Sequence, residues 1–336
     1  MTVIAAGLIV RNEARCIRRC LESIRPWVDR IIVLDTGSTD ATARLARRAG
    51  AQVHHMAWED SFAAARNRML ALADADWTIV LDADEWVAEG GAALRGWCTG
   101  AARLGRVCVS SRFNAVGGAE RQESRGWITR VLPRGIRYEG RVHEQVVSDL
   151  PRDTVPMLLG HDGYLDAQLA RKRDRNRPLL LLDHTERPDD PYVLYQLGKD
   201  AQMHGDHAEA CSWLSRALPL TGERANWRHD LVLTLLHCLS VSGKTDEALA
   251  LAEEEGAIWS TSPDFHFVLG GVLLDRAAND PSRALGHWLP QVCAAWRRCL
   301  EIGERPELEG SVAGRGSHLA RHNLDMVEAQ LAALGR

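Results

Sequence analysis

Trp77-Thr78-Ile79-Val80-Leu81-Asp82-Ala83-Asp84-Glu85 decides the fold: an apolar, partly β-branched run stops abruptly at three carboxylates. A run without polar alternation suits a strand buried on both faces, as in a parallel sheet. Toward the start of the chain, residues 3–10, 30–34 and 52–55 read as further strands. Between them, 14–24 carries Ile17, Leu21 and Ile24 at helical spacing, and 41–49 and 62–73 also read as helices. Ser38, Thr39 or Asp40 can cap the helix over 41–49. Strand–helix alternation predicts an α/β domain with a mostly parallel sheet, whose ligands sit beyond the carboxyl ends of the strands. Asp35 after the second strand, and Asp82, Asp84 and Glu85 after the fourth, fall at such ends.

Beyond residue 106 the texture changes. Residues 107–111, 126–132 and 142–147 are short strand-like pieces, expected to complete the sheet in antiparallel fashion. Residues 167–184 are first basic (Arg171, Lys172, Arg173, Arg175, Arg177), then leucine-rich, and read as a helix bridging two domains. Arg187-Pro188-Asp189-Asp190-Pro191 is a turn and sets the expected boundary, with an α/β domain over 1–186 and an all-α domain over 187–336. In the second domain Gly205-Asp206-His207-Ala208-Glu209-Ala210 recurs 38 residues later as Gly243-Lys244-Thr245-Asp246-Glu247-Ala248. A looser third unit covers 263–302, and 317–334 reads as a capping helix. Helix pairs around a glycine turn resemble tetratricopeptide-type hairpins, whose usual period is ~34 residues. Trp213, Trp227, Trp259, Trp288 and Trp296 fall mostly on these helices and read as core.

Composition narrows the function classes. With 46% hydrophobic and 26% charged residues the chain is globular, and 336 residues allow two ordinary domains. A net charge of -4 argues against a dedicated nucleic-acid binder. No segment reaches the ~18–20 continuous apolar residues of a membrane span. The apolar start runs at once into Arg11-Asn12-Glu13, so it reads as a first strand and not as a signal peptide. Eight scattered cysteines without a CxxC pair read as reduced core thiols of a cytoplasmic protein.

The D-x-D element Asp82-Ala83-Asp84 is the sharpest chemical signal. Carboxylates at a sheet edge can hold a hard divalent cation that keeps several waters and bridges to phosphates. Such a cation neutralises a diphosphate leaving group. Asp35 reads either as an acceptor for a nucleoside base or ribose or as part of a helix cap. Asp60 with Arg66-Asn67 reads either as a base or phosphate contact or as a surface ion pair.

Four motifs occur in order: Asn12-Glu13, Asp35-x-Gly37-Ser38-x-Asp40, Ala65-Arg66-Asn67, and Trp77-x-x-x-Leu81-Asp82-x-Asp84-Glu85. As a set this resembles family 2 glycosyltransferases of the GT-A fold, in the variant similar to lipopolysaccharide-core glucosyltransferases and bacteriocin S-glycosyltransferases. The resemblance implies that Asp35 and Arg66 contact the nucleotide base, and that Asp82 touches ribose or metal. It also implies that Asp84 holds Mg²⁺ or Mn²⁺ and that a UDP-sugar is the donor. Arg137-Tyr138-x-Gly140-x-Val142-His143-Glu144 is similar to a further family segment, which makes Glu144 and His143 the candidates for the general base of an inverting transfer. His161-Asp162-Gly163-Tyr164 resembles an element whose histidine returns to the metal, an imidazole suiting Mn²⁺. Arg130, and Lys172 or Arg175-Asn176, are candidates for the diphosphate.

The Gln-x-x-Arg-Trp element of processive synthases is absent, so one sugar per acceptor is expected. The acceptor is expected to be a peptide, protein or glycolipid on the helical repeats, which could also pair two copies as a homodimer. The competing reading is a nucleotide-binding repeat scaffold without turnover.

Overall fold

The computed structural model of the chain describes residues 2–114, 121–161 and 166–334, and side chains within them except at 111–114, 121–125, 166–174 and 334. It divides into two compact units, Met1–Leu180 and Leu181–Arg336.

The first unit is built on β1 (Ile4–Val10), β2 (Arg30–Asp35), β3 (Gln52–His55) and β4 (Trp77–Leu81), parallel strands joined by helices α1 (Ile17–Ile24), α2 (Thr42–Arg48) and α3 (Phe62–Ala73). Alternation along β1 places Ile4, Ala6, Leu8 and Val10 in the core with Ile17, Cys20, Leu21 and Ile24 of α1. Ala5 and Ile9 turn to the other face, toward Ala65, Met69 and Ala73 of α3. Ser61 caps α3 by accepting from the Ala64 N–H at 3.1 Å.

The rest of the sheet comes from β5 (Glu85–Glu89), a short α4 (Ala93–Trp97), β6 (Leu104–Asn114), β7 (Arg121–Pro133) and β10 (Arg152–His161), while β8 (Arg137–Glu139) and β9 (Gln145–Val147) form a separate two-stranded ribbon. The eight-stranded order is β3-β2-β1-β4-β7-β6-β10-β5. Strand β7 runs antiparallel to β4 and β6, as expected. Three expectations need correcting. Residues 142–147 give only the ribbon strand over Gln145–Val147, α1 begins at Ile17 and not at residue 14, and β5 and β10 were not anticipated. The register of these two antiparallel strands places His161 opposite Glu85.

Helix α5 (Asp166–Glu186) runs past the end of the first unit, and Asp190 caps the following helix through Tyr192 and Val193 N–H. The second unit is a series of antiparallel hairpins. They are α6 (Pro191–Met203) with α7 (His207–Ala217), α8 (Arg228–Val241) with α9 (Thr245–Glu255), and α10 (Pro263–Asn279) with α12 (Leu289–Ile302); α11 (Pro281–Arg283) turns the last, and α13 (His318–Leu334) caps the row. Gly205 and Gly243 close the first two hairpins at φ +79° and +75°, where a side chain is disfavoured, so the repeat is a backbone requirement. Of the five tryptophans, Trp296 is buried, and the others pack half-buried against the two helical cores. No helix of the described residues is long and apolar enough to cross a membrane.

Candidate functional site

Because β1, β2 and β4 are parallel and in register, their carboxyl ends open at one edge of the sheet. The loops there are laced together by short polar side chains. Asn12, at φ +58°, donates its N–H to Ser38 Oγ at 2.9 Å and accepts the Thr39 N–H at 2.8 Å. Glu13 N–H reaches Thr42 Oγ1 at 2.7 Å, and Ala14 N–H reaches Asp40 at 3.1 Å. Asp35 is buried, with one carboxylate oxygen accepting from the Gly37 and Ser38 N–H groups at 2.9 and 2.7 Å. Its first task is to close the turn.

The D-x-D aspartates face different partners. Asp82 Oδ1 accepts from Arg66 Nη2 at 3.0 Å and Oδ2 from Arg130 Nη2 at 2.7 Å. Arg130 also pairs with Glu85, which is 2% exposed and whose other oxygen accepts the Asp82 N–H at 2.9 Å. Arg66 Nε donates to Glu144. Three carboxylates thus share two buried guanidiniums. Crowding by protein atoms would raise the Asp82 carboxyl, but Arg130 and Arg66 outweigh it and hold it far below the usual carboxylate range. Glu85 goes the other way, pushed up by its own burial despite Arg130.

Asp84 points instead toward His161, Oδ2 to Nε2 at 3.4 Å, with both side chains mostly buried. Among the described residues no group of three or more histidine, cysteine or acidic side chains converges as a metal cage. One carboxylate and one imidazole nevertheless form a donor pair for a hard or borderline cation that takes its remaining ligands from waters and phosphates. Both Asp82 oxygens are engaged by arginines, which makes it the keystone of the charge network.

The other expected residues fall out unevenly. Arg66 is brought in, although its Nε and Nη2 serve carboxylates; Nη1 is buried without a hydrogen-bond partner among the described residues. Arg130 is brought in as a carboxylate clamp. Glu144 is brought in, one oxygen on Arg66. His143, at φ +52°, is exposed, and Asp60, at φ +51°, is exposed just before α3. The Phe62 N–H to Arg141 carbonyl bond at 2.7 Å ties these two loops together. Arg175 stacks over the Phe62 ring at 4.7 Å and feels the carboxylates of Glu144, Asp82 and Glu13. The side chain of Lys172 lies outside the described residues, as do Asp162, Gly163 and Tyr164.

One contributor was missed by sequence reasoning, and one quoted beside Arg66 takes a different role. Glu85 carried no assigned role although it stands in the quoted motif. Asn67 grips Tyr138 by both main-chain groups, accepting its N–H at 2.8 Å and donating to its carbonyl at 2.9 Å. That double bond fixes the ribbon, and with it Glu144, against α3.

Residues 6–141 match the model of glycosyl transferase family 2. A TPR repeat-containing protein of Synechococcus elongatus is 32% identical over 263 residues, 74% of this chain and 64% of that protein. The prophage-derived glycosyltransferase SunS of Bacillus subtilis is 25% identical over 249 residues, 70% of this chain and 58% of that protein. The chain therefore spans less than two thirds of the length of these relatives. Among solved structures, glucosyl-3-phosphoglycerate synthase of Mycobacterium tuberculosis, in complex with Mn²⁺, UDP and glucosyl-3-phosphoglycerate, is 26% identical. It covers 34% of this chain and 44% of that one, at a TM-score of 0.28. The D-x-D edge of the sheet lies within residues 6–141, so it is the N-terminal unit of this chain that matches glycosyl transferase family 2.

Proposed function

We propose that the chain transfers one sugar from a UDP-sugar to a peptide, protein or glycolipid acceptor, with inversion at the anomeric carbon and dependence on Mn²⁺ or Mg²⁺. The observation that carries this reading is the division of labour in the D-x-D element. Asp82 is locked between Arg66 and Arg130, while Asp84 is left facing His161. Asp84 and His161 would hold the cation, which when bound supplies positive charge to the departing diphosphate.

The chain's own groups divide the remaining work. Asp35 keeps its second oxygen for the base or ribose, and Arg66 carries a further buried donor at Nη1, without a hydrogen-bond partner among the described residues. Arg175 is the cation to balance the diphosphate. Its guanidinium lies on an aromatic ring while Nε donates to Asn176 Oδ1 at 3.1 Å, so its terminal nitrogens are the donors for oxygen. Glu144 holds Arg66 through Oε1; among the described residues Oε2 has no hydrogen bond and can take the proton from the acceptor as its oxygen, nitrogen or sulfur bonds to the anomeric carbon. The bond from that carbon to the diphosphate oxygen breaks on the opposite face. The helical repeats are the part assigned to hold the acceptor.

The test is a panel of UDP- and dTDP-sugars incubated with the protein and Mn²⁺, reading nucleoside diphosphate release. We expect release with a UDP-sugar, abolished by chelation and reduced about 10²–10³-fold in Asp84→Ala. Equal release from Asp84→Ala, or none from any donor, overturns the reading.

A further inference from the structure

Asp84 sits inside a short turn, and the residue that follows it closes that turn. The Glu85 N–H donates to the Asp82 carbonyl at 3.0 Å, which makes residues 82–85 a β-turn with Asp84 at its third position. The Glu85 side chain closes the turn a second time, one carboxylate oxygen accepting the Asp82 N–H at 2.9 Å. In a helix capping box a glutamate reaches back three residues to a main-chain N–H in the same way. The other oxygen takes Nη2 of Arg130, and that nitrogen also reaches Asp82 Oδ2 at 2.7 Å, a third link between the two ends of the turn. Behind the turn, Cys20 Sγ of α1 donates to the Asp82 carbonyl at 3.5 Å.

Glu85 also stands where the turn becomes strand β5. Its register partner on β10 is His161, and directly opposed residues of an antiparallel pair project to the same face. Glu85 therefore adjoins both members of the Asp84–His161 pair, one along the chain and the other across the ladder. The carboxylate is a poor candidate for a ligand in its own right. Its side chain is 2% exposed, against 14% for Asp84 and 12% for His161, and both its oxygens are spent within the protein. Burying a carboxylate is costly even when it is paired, and the main-chain bond of the turn does not need one. Holding the turn in one geometry is the task that accounts for it.

We propose that Glu85 is a positioning residue for the metal pair: it touches neither the cation nor the substrate, and it fixes the direction of Asp84 and its spacing from His161. Length is required here as well as charge. From the first residue of β5 the carboxylate has to meet the Asp82 N–H and Arg130 at once. An aspartate is one methylene too short to meet both, and a glutamine offers one acceptor oxygen in place of two. The inference rests on the reading of Asp84 and His161 as the donors that hold the cation.

The test is a titration of Mn²⁺ into the full-length protein with UDP present, following the electron paramagnetic resonance signal of free Mn²⁺. Wild type, Asp84→Ala, Glu85→Asp and Glu85→Gln are compared, each below its own unfolding midpoint. Changing a residue that orients a metal's ligands costs about 10–100-fold in affinity. We expect a loss of that size in Glu85→Asp, which keeps the charge, and in Glu85→Gln, which keeps the length, with the circular-dichroism spectrum of the wild type in both. Wild-type affinity in Glu85→Asp overturns the proposal, because charge alone then suffices; wild-type affinity in Glu85→Gln overturns it as well. Loss of the folded spectrum in both variants would make Glu85 a requirement of the whole fold, and likewise overturn it. No Mn²⁺ binding by the wild type, or equal binding by Asp84→Ala, removes the metal reading and this proposal with it. Wild-type affinity in the two Glu85 variants, with loss in Asp84→Ala, removes the proposal alone.

Discussion

Asp82 would ordinarily be the residue assigned the metal, yet its two oxygens are divided between Arg66 and Arg130. That arrangement lets the two arginines keep Asp82 ionised. It also makes Arg66 more than a ligand contact. Arg66→Ala strands the mostly buried Glu144 and leaves Asp82 on Arg130 alone. Removing one member of such a buried pair costs roughly 3 kcal/mol, somewhat less here because Asp82 is 40% exposed on its other side. Urea unfolding of Arg66→Ala should show that loss, whereas Glu144→Gln, which keeps an oxygen for Arg66 Nε, should lose little stability and mainly turnover. Equal destabilisation by both would mean that Glu144 is purely structural.

At the scale of elements, the site depends on strands that meet across the chain. Strand β10 delivers His161 to Asp84 because it pairs with β5, and Gly160 permits that pairing by lying under the Trp86 ring. A methyl group there would sit 2.3 Å from the ring, which Arg19 covers on 3.8 Å contact. Gly160→Ala should therefore destabilise by about 1–3 kcal/mol through overpacking and weaken Mn²⁺ binding as His161 shifts, read by thermal unfolding with and without Mn²⁺. A stabilising effect of Mn²⁺ equal to wild type would contradict this. The same elements show why reading stopped where it did. Strands β1, β2 and β4 were legible because both faces are buried and their apolar runs are unbroken. Strand β10 opens on Arg152-Asp153-Thr154 and contains Pro156, and β5 begins with two-sided polarity at Glu85. Their pairing is decided by distant partners, as is the role of Glu85, whose arginine lies 45 residues away.

The molecule as a whole joins two units with different sensitivities. In the helical unit, burial lowers the His229 imidazole below its ordinary value of 6.5, although its bond to Glu309 and nearby Asp264 and Asp230 pull upward. The unfolded chain then binds a proton that the folded one refuses, so this contribution to stability is whole above pH 6.5 and is lost as pH falls from there through the folded value. The helical unit should lose up to about 1.4 kcal/mol per pH unit over that window, and His229→Gln should flatten the slope in circular-dichroism melts. The repeats were legible because Gly205 and Gly243 mark backbone turns, whereas segment 303–317, which supplies the Glu309 carbonyl, has no periodicity to betray its contacts. For the α/β unit the central claim is that Asp84, with His161, makes nucleotide binding depend on a divalent cation. Calorimetric titration of UDP into the protein, with and without Mn²⁺, tests it most directly. We predict binding that needs Mn²⁺ in the wild type and is lost in Asp84→Ala; UDP binding of equal strength with and without the metal, unchanged by Asp84→Ala, would contradict it.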